Sequence, residues 1–369
     1  MSSIVALGLN ENQESYITQC KSLGYHLIGF DRDRNAKCVP YCDEYYNLSI
    51  DSIEIILGKL KGRRVIGILS EQTDSGLITV GRLNSEFSLL GLTYEASQLI
   101  RDKYQQRRFI EQHKLIKQPI FALANEVSVK LKNFTYVLKK PRSGQSSSGV
   151  GLTKLEDIVS DNTHIYEEFV RGIDFSLDGI FQDKVYVSAY CVKEKFHDTF
   201  VDKTLFASIN APTELVNFIE NTLTKLNVNN VFFHAEFKKY NNTFYLVEFT
   251  TRGGGSGLST IVASYLTGLN MDAARIDLLV GHRITNPCDN LSQRRALMHF
   301  GKWSEIQHLA DKLIGISKVE VKIRRFSLSD AKKVKSGRDR QACIYILFDV
   351  EVADNVYEVM NGSTKIVIQ

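Results

Sequence analysis

Apolar residues in the first third of the chain switch repeatedly between two periods. SIVALGL, residues 3–9, is a short unbroken apolar run of the kind that forms a buried strand. Residues 11–23 return to helical spacing, with Tyr16, Ile17, Cys20 and Leu23 on one face. His26–Phe30 is strand-like again and ends on Asp31; Ile53–Leu60 is helical and Arg64–Leu69 strand-like. Strand and helix in alternation predict a parallel α/β unit. Residues 74–92 read as a helix and its connection. Residues 95–113 read as one charged helix, with Leu99, Tyr104 and Phe109 as buried positions and Arg107 and Arg108 on a solvated face.

The pattern changes near residue 125. Tyr136–Lys140 is strand-like and stops at Pro141, and a Gly/Ser loop spans residues 143–152. Residues 164–181 read as two strands about Arg171–Gly172, Val185–Val192 as another, and Pro212–Leu226 as an amphipathic helix. From Phe232 to Gly257, two apolar-rich strands flank Asn241–Asn242, a hairpin signature. Ser259–Val280 is helical with a break at Gly268. Beyond residue 294, the stretches ALMHF, KVEVKI, ACIYILFDV and KIVI predict a small β-rich unit with one helix near 351–361. The fold class is therefore mixed: a parallel α/β unit, an α+β middle, and a β-rich end.

Composition narrows the function classes. The chain has 369 residues, 43% hydrophobic and 24% charged, enough for two or three domains with their own cores. A net charge of +4 with no run of Lys or Arg gives no reason to expect nucleic acid as a partner. No apolar run reaches membrane-span length, and no basic-then-apolar leader opens the sequence, so a cytoplasmic protein is expected. Six scattered cysteines fit a reduced compartment, and the Cys38–Cys42 pair lacks the companions that a zinc site needs. Gly8 follows the first strand without a G-x-G-x-x-G, so no dinucleotide site is expected there, and Asp31 is most simply a surface acid. The phosphate-loop pattern G-x-x-x-x-G-K-[ST] is absent too.

The chemistry gathers around the hairpin. Each of its strands carries one carboxylate, Glu236 and Glu248, and two carboxylates on adjacent strands can converge on a hard cation such as Mg2+. Thr250 and Arg252 follow, the latter a planar fork for phosphate or carboxylate. Gly253, Gly254 and Gly255 can turn their N–H groups into an anion nest. Upstream, Lys140 stands at the base of the Gly/Ser loop, which can fold over phosphates. Glu167, Asp174 and Asp178 are acids in strand-like surroundings and need partners. The bland alternative is an ordinary hairpin with solvated acids and a flexible linker.

Three motifs in order, KKPRSGQSSSGVG, YEEFVRGIDFS and HAEF…LVEFTTRGGG, resemble the ATP-grasp superfamily in its carboxylate–amine ligase branch. The resemblance covers nearly the whole chain, is most like L-amino-acid ligases and biotin-carboxylase-like proteins, and includes DKYQQRRFIEQHKLIKQP as a linker helix. It implies a preceding α/β domain over 1–95, an ATP-grasp domain over 96–290 with a nucleotide-clamping subdomain at about 125–192, and a β-rich lid over 291–369. By position, Lys103 and Lys140 would contact the ATP phosphates, beneath the loop of Ser146, Ser147, Ser148 and Gly149. Glu167 would lie near the adenine amino group, and Glu168 and Val170 would form the hinge that reads the base. Asp174 stands where the family has a ribose-binding glutamate. Glu236 and Glu248 match metal ligands, Thr250 replaces the usual asparagine, and Arg252 matches the arginine facing the transferred phosphoryl group. The specificity pocket would draw on the lid, the loop near Val201–Ala211 and the nest of Gly253–Gly255; Lys203, Arg294 and His299 are candidates there, each more simply structural.

The implied activity is ATP-dependent amide formation through an acyl phosphate, with ADP and phosphate released. ATP and two Mg2+ are implied, with Mn2+ as a substitute, and a small carboxylate and an amine as substrates. No nucleic-acid or membrane partner is implied, and a homodimer is left open. The alternatives are a bicarbonate-using relative and a catalytically silent nucleotide-binding protein.

Overall fold

The computed structural model describes residues 2–360 apart from 72–73, 145–148, 160, 286–290, 327–333 and 335. Ser146, Ser147, Ser148 and the KIVI stretch therefore lie outside the described residues. Among the described residues no helix is long and apolar enough to cross a membrane.

The opening alternation gives a four-stranded parallel sheet, β1 (Ser2–Leu7), β2 (His26–Asp31), β3 (Glu44–Asn47) and β4 (Arg64–Leu69), in the order β3-β2-β1-β4. Both faces are covered, which is why β1 is apolar without alternation. Val5, Leu7, Ile28 and Phe30 enter one core, and Ile4, Ala6 and Leu27 the other. Leu23 does not join them: it caps the C-terminus of helix Glu14–Ser22, past its last turn, and is 48% exposed. Strand β3 has no apolar run to announce it, since its residues are only half-buried.

The expected helix over 95–113 is two helices, Tyr94–Arg101 and Lys103–His113. Asp102 divides them with extended backbone, and its side chain accepts from the Tyr104 N–H at 2.9 Å, an N-cap. Lys103, Tyr104, Arg107 and Ile110 then fall on the buried stripe of the second helix. Arg107 is thus 1% exposed rather than solvated; Arg108, one position on, is exposed as expected.

A small antiparallel sheet follows: β5 (Phe121–Ala122), β6 (Tyr136–Pro141), β7 (Gly151–Lys154) and β8 (His164–Glu167), in the order β5-β8-β6-β7. Among the described residues, the rest of the chain builds one eight-stranded antiparallel sheet. Its strands are β9 (Ile173–Gln182), β10 (Lys184–Lys195), β11 (Asp202–Ser208), β12 (Val231–Tyr240), β13 (Thr243–Thr250), β14 (Arg294–Gly301), β15 (Val319–Arg325) and β16 (Ala342–Asp349). The order is β13-β12-β9-β10-β11-β14-β16-β15, so the C-terminal strands continue the sheet through β11 and β14. The C-terminal segment holds a helix beyond the one expected, Trp303–Leu313, whose Ile306, Leu309, Ala310 and Leu313 pack with Ile344, Ile346 and Phe348 of β16.

The period of two in β9 and β12 separates core from chemistry. Phe175, Leu177, Ala235 and Phe237 face helix Thr213–Lys225 and pack with its Leu215, Phe218, Ile219 and Leu223. The alternate positions, Asp174, Ser176 and Asp178 on β9 and His234, Glu236 and Lys238 on β12, share the other face.

Candidate active site

The hairpin β12–β13 turns through Asn241 and Asn242, both left-handed at φ 47° and 58°. That is the two-residue turn matching the twist of paired strands. It sets the register in which Glu236 lies directly opposite Glu248 and His234 opposite Thr250. Immediately past the carboxylates the register slips, Phe237 pairing with Leu246, so Val247 is the extra residue of a bulge. The Val247 carbonyl accepts from Arg107 Nη2 at 2.7 Å and lies 3.5 Å from Lys140 Nζ.

One cleft opens between the small and the large sheet. It is lined by Lys103, Lys140, Glu167, Glu168, Val170, Asp174, Glu236 and Glu248, together with Leu138, Phe169, Phe200 and Val247. Eight residues singled out in the sequence are therefore brought to one place. Glu167 is held between Arg107, 2.8 Å from Oε1, and Lys140, 2.6 Å from Oε2. Burial would raise its carboxyl, but the two cations outweigh burial and hold it at about 2. Burial lowers the Lys140 pKa, and Arg107 adds to that. Both Glu167 oxygens are thus engaged inside the protein. Asp174 is bracketed by Lys238 at 2.9 Å and Lys195 at 3.5 Å. Lys103 donates to the Gly144 carbonyl at 2.9 Å and pairs with Glu248 at 3.1 Å.

A second cleft lies beyond the same two carboxylates. Glu236 and Glu248 line it with Thr250, Arg252, Gly255, Lys193, His234, Asp202 and Arg340, and with the apolar Leu205, Leu258, Met298 and Phe300. The carboxylate pair is the wall common to both clefts. Lys193 bridges Glu236 and Asp202 at 2.6 and 2.7 Å. Against burial, Lys193 and His234 keep the Glu236 carboxyl well below its ordinary range. His234 donates to Asp178 at 2.9 Å, and that pairing outweighs burial and raises the imidazole to about 9.

Arg252 grips Asp74 in a two-point fork, Nε at 2.7 Å and Nη2 at 3.1 Å, and its Nη1 donates to the Gly253 carbonyl. The Thr250 hydroxyl donates to the same Asp74, 3.1 Å away. The glycine run does bind carboxylates, but those of the chain itself: Gly253 N–H donates to Glu71 and Gly254 N–H to Asp178. A Cβ on Gly254 would stand 2.5 Å from Asp178 Oδ1, so the approach needs glycine. Of the three glycines Gly255 lines the cleft, which narrows the expected nest to that residue. Arg294 and His299 have structural partners, the Tyr265 carbonyl and the Thr204 hydroxyl.

Sequence reasoning missed Asp74, Glu71, Arg107, Lys193 and Asp202. Two of them left a signal: SEQTD follows β4, and acids at the carboxyl end of a parallel strand stand where α/β sheets place ligands. In this chain that position is filled. Between β1 and β4, Gln13 Nε2 donates to the Leu7 and Gly8 carbonyls while its Oε1 accepts from Glu71 N–H. Glu71 is itself buried against Arg275, and burial, outweighing Arg275, raises its carboxyl.

No family model matches the chain, and no curated protein matches it by sequence. Solved structures do match. The L-amino acid ligase from Bacillus licheniformis superposes with a TM-score of 0.74 at 16% identity, over 100% of this chain and 99% of that one. The N5-carboxyaminoimidazole ribonucleotide synthetase from Thermotoga maritima gives 0.72 at 16% identity, over 100% of both chains. This chain has the ATP-grasp fold. A third ATP-grasp structure is the biotin carboxylase domain of the Hydrogenobacter thermophilus 2-oxoglutarate carboxylase, solved with MgADP, ADP and bicarbonate. It gives 0.69 at 13% identity, over 97% of this chain and 89% of that one.

The ATP-grasp fold implies Mg2+, and the donor set fits it. Glu236 and Glu248 offer carboxylate oxygens side by side, and each already holds a cation, the ammonium of Lys193 or Lys103. Among the described residues no group of three or more metal-ligating side chains is gathered. A Mg2+ here would complete its shell with phosphate oxygens and water, as that ion commonly does.

Proposed function

We propose that this chain is an ATP-dependent carboxylate–amine ligase whose acid substrate is an amino acid or small carboxylic acid. The observation that carries the proposal is the Glu236–Glu248 pair in the wall common to two clefts. One cleft has apolar sides for a base and lysines for phosphates. The other holds Arg252 and room for a small substrate. A phosphoryl group passing between them would cross at the carboxylates.

In the first step a substrate carboxylate oxygen attacks the γ-phosphorus of ATP. The bond to the β,γ-bridging oxygen breaks, and ADP leaves with the electron pair. In the second, an amine attacks the acyl carbon, inorganic phosphate leaves, and the amine gives up a proton as the amide forms. Positioning and charge neutralisation carry such transfers. Lys103 and Lys140, which line the cleft, would meet the phosphates there. Arg252, oriented by Asp74, would face the charge developing on the transferred group. Mg2+ bound at Glu236 and Glu248 would supply further charge neutralisation. Asp174, between two lysines, would accept from ribose hydroxyls. The Gln13 plug between β1 and β4 favours small substrates over nucleotide substrates, which need an open crevice there.

A phosphate-release screen tests the reading: intact protein, ATP and Mg2+ with amines paired with amino acids or with small carboxylic acids, beside a bicarbonate arm. Release that requires such an acid–amine pair supports it; release with bicarbonate alone, or none with any pair despite ATP binding, rejects it.

A further inference from the structure

Strand β14 has two faces with different neighbours. Ala296, Met298 and Phe300 pack with Leu258 and Leu266, and Met298 and Phe300 continue into the second cleft. Leu297 packs instead with Ile306 and Leu309 of helix Trp303–Leu313. The period of two puts His299 on the face of Leu297, turned away from the second cleft. Beside it opens a cavity of about 720 Å³. The helix lines this cavity with Glu305, His308, Leu309 and Lys312, one stripe at helical spacing. Lys203 of β11 and Lys302 add to the wall. Arg340 is common to this cavity and the second cleft, and Asp202 and Glu236 answer its charge.

His299 is 4% exposed. Its Nδ1 lies 2.9 Å from the Thr204 hydroxyl, which lies 3.2 Å from a Glu194 carboxylate oxygen. A hydroxyl has one proton to give, and a carboxylate only accepts. Thr204 therefore donates to Glu194 and accepts from His299 Nδ1–H, which leaves the ring's lone pair on Nε2. Burial, and then Lys203, push the imidazole down to about 4, so the ring stays neutral. Nε2 has no hydrogen-bond partner among the described residues. The ring is thus a buried acceptor that a donor can reach from the cavity. Charge adds a second requirement. The acids of the wall, Glu305 and Asp339, already accept from backbone, the Lys302 N–H at 3.0 Å and the Ser336 N–H at 2.7 Å. Lys302 and Lys312 make no ion pair among the described residues. Phe196, Leu309 and Val359 supply apolar sides.

We propose that this cavity is a separate ligand site for a small phosphate ester that keeps a free hydroxyl. The hydroxyl donates to His299 Nε2, and the carbon skeleton lies against Phe196 and Leu309. The phosphate meets the lysines, which act as point charges around it. A phosphate ester carries nearly two negative charges where a carboxylate carries one, so several lysines suit it better. The volume falls within the range of small-molecule pockets. The site lies outside both clefts of the proposed reaction, and its ligand is not one of that reaction's substrates.

The test titrates the full chain by calorimetry, with Mg2+ and a saturating non-hydrolysable ATP analogue, so that phosphate esters find the first cleft filled. AMP, ribose-5-phosphate and glycerol-3-phosphate are each run beside adenosine, ribose or glycerol, and beside malate as a carboxylate. At least one ester should bind about 10- to 100-fold more tightly than its dephosphorylated counterpart and than malate. Lys302 and Lys312 are exposed, so Lys302→Gln combined with Lys312→Gln should leave the fold intact. That double variant should weaken the ester about tenfold or more and leave the affinity for the ATP analogue unchanged. His299→Phe keeps a ring and removes the acceptor, and should weaken the ester about threefold to tenfold. Binding by none of the esters, malate bound as tightly, or an ester affinity untouched by the double lysine variant overturns the proposal. So does an unmoved affinity in folded His299→Phe; if that variant does not fold, the double lysine variant decides. Turnover does not enter these titrations, so their outcome is independent of the ligase reading.

Discussion

Glu167→Gln isolates the buried ion cluster at the wall of the first cleft. The carboxylate lies 2.8 Å from Arg107 and 2.6 Å from Lys140, and all three side chains are almost wholly buried. Its pKa is held at about 2, against an ordinary 4.5. At about 1.4 kcal/mol per pH unit, that difference contributes roughly 3 kcal/mol at neutral pH. The substitution also strands two cations in the interior, and breaking a buried pair costs about 3–5 kcal/mol. Spread over an unfolding entropy of about 2.1 cal/mol/K per residue for a chain this long, the melting temperature should fall by roughly 4–6 °C. The sign of the pH dependence follows from the depressed pKa. The contribution is complete above about pH 4.5 and is lost as pH falls through about 2. Thermal melts of wild type and Glu167→Gln should therefore differ by a constant amount between pH 5 and pH 8 and converge in acid. A variant as stable as wild type at pH 7, or a gap that persists undiminished at pH 3, would refute the reasoning.

Lys140→Ala strips Glu167 Oε2 of its 2.6 Å partner and leaves only Arg107, so it should weaken an ATP analogue about tenfold or more in calorimetry and lower the melting temperature too, by less than Glu167→Gln does; unchanged affinity would point to Lys139. Glu248→Gln should abolish ATP turnover in a protein whose circular dichroism matches wild type, and Glu236→Gln should do likewise; near-normal turnover would dissociate the hairpin from the chemistry. Arg252→Ala should lower kcat about 10²–10³-fold with a smaller change in the KM for ATP, and Arg252→Lys should recover only part. Asp74→Asn should lower kcat in the same direction through a mispositioned Arg252, and a purely thermal effect would make that contact structural.

Much of this architecture was legible because it depends on local pattern. The hairpin turn needs two left-handed residues, and Asn241–Asn242 announces them. Three strands of the parallel sheet are written in apolar runs, β3 being the exception, and Glu236 and Glu248 face one another because the turn fixes the register. What escaped was decided by distant partners. Arg107 sits among charged neighbours, and only its spacing from Tyr104 and Ile110 betrays a buried stripe. Glu167 could be recognised as an acid needing a partner, but Arg107, sixty positions away, could not be recognised as that partner. The nest showed its glycines without revealing that Glu71 and Asp178 occupy two of its N–H groups. Helix Trp303–Leu313 keeps helical spacing at Ile306, Leu309, Ala310 and Leu313, but the β-rich stretches on either side dominate the pattern and hide it.

The central claim is that a substrate carboxylate becomes an acyl phosphate. Tracing oxygen tests it most directly. An acid substrate labelled with oxygen-18 in its carboxylate, turned over with ATP and an amine, hands one labelled oxygen to the γ-phosphorus when it attacks. That oxygen leaves with phosphate when the amide forms. Mass spectrometry of the released phosphate should therefore find one oxygen-18 per molecule, with the other retained in the amide. Unlabelled phosphate accompanying amide formation, or phosphate released by water with no amide made, would contradict the account.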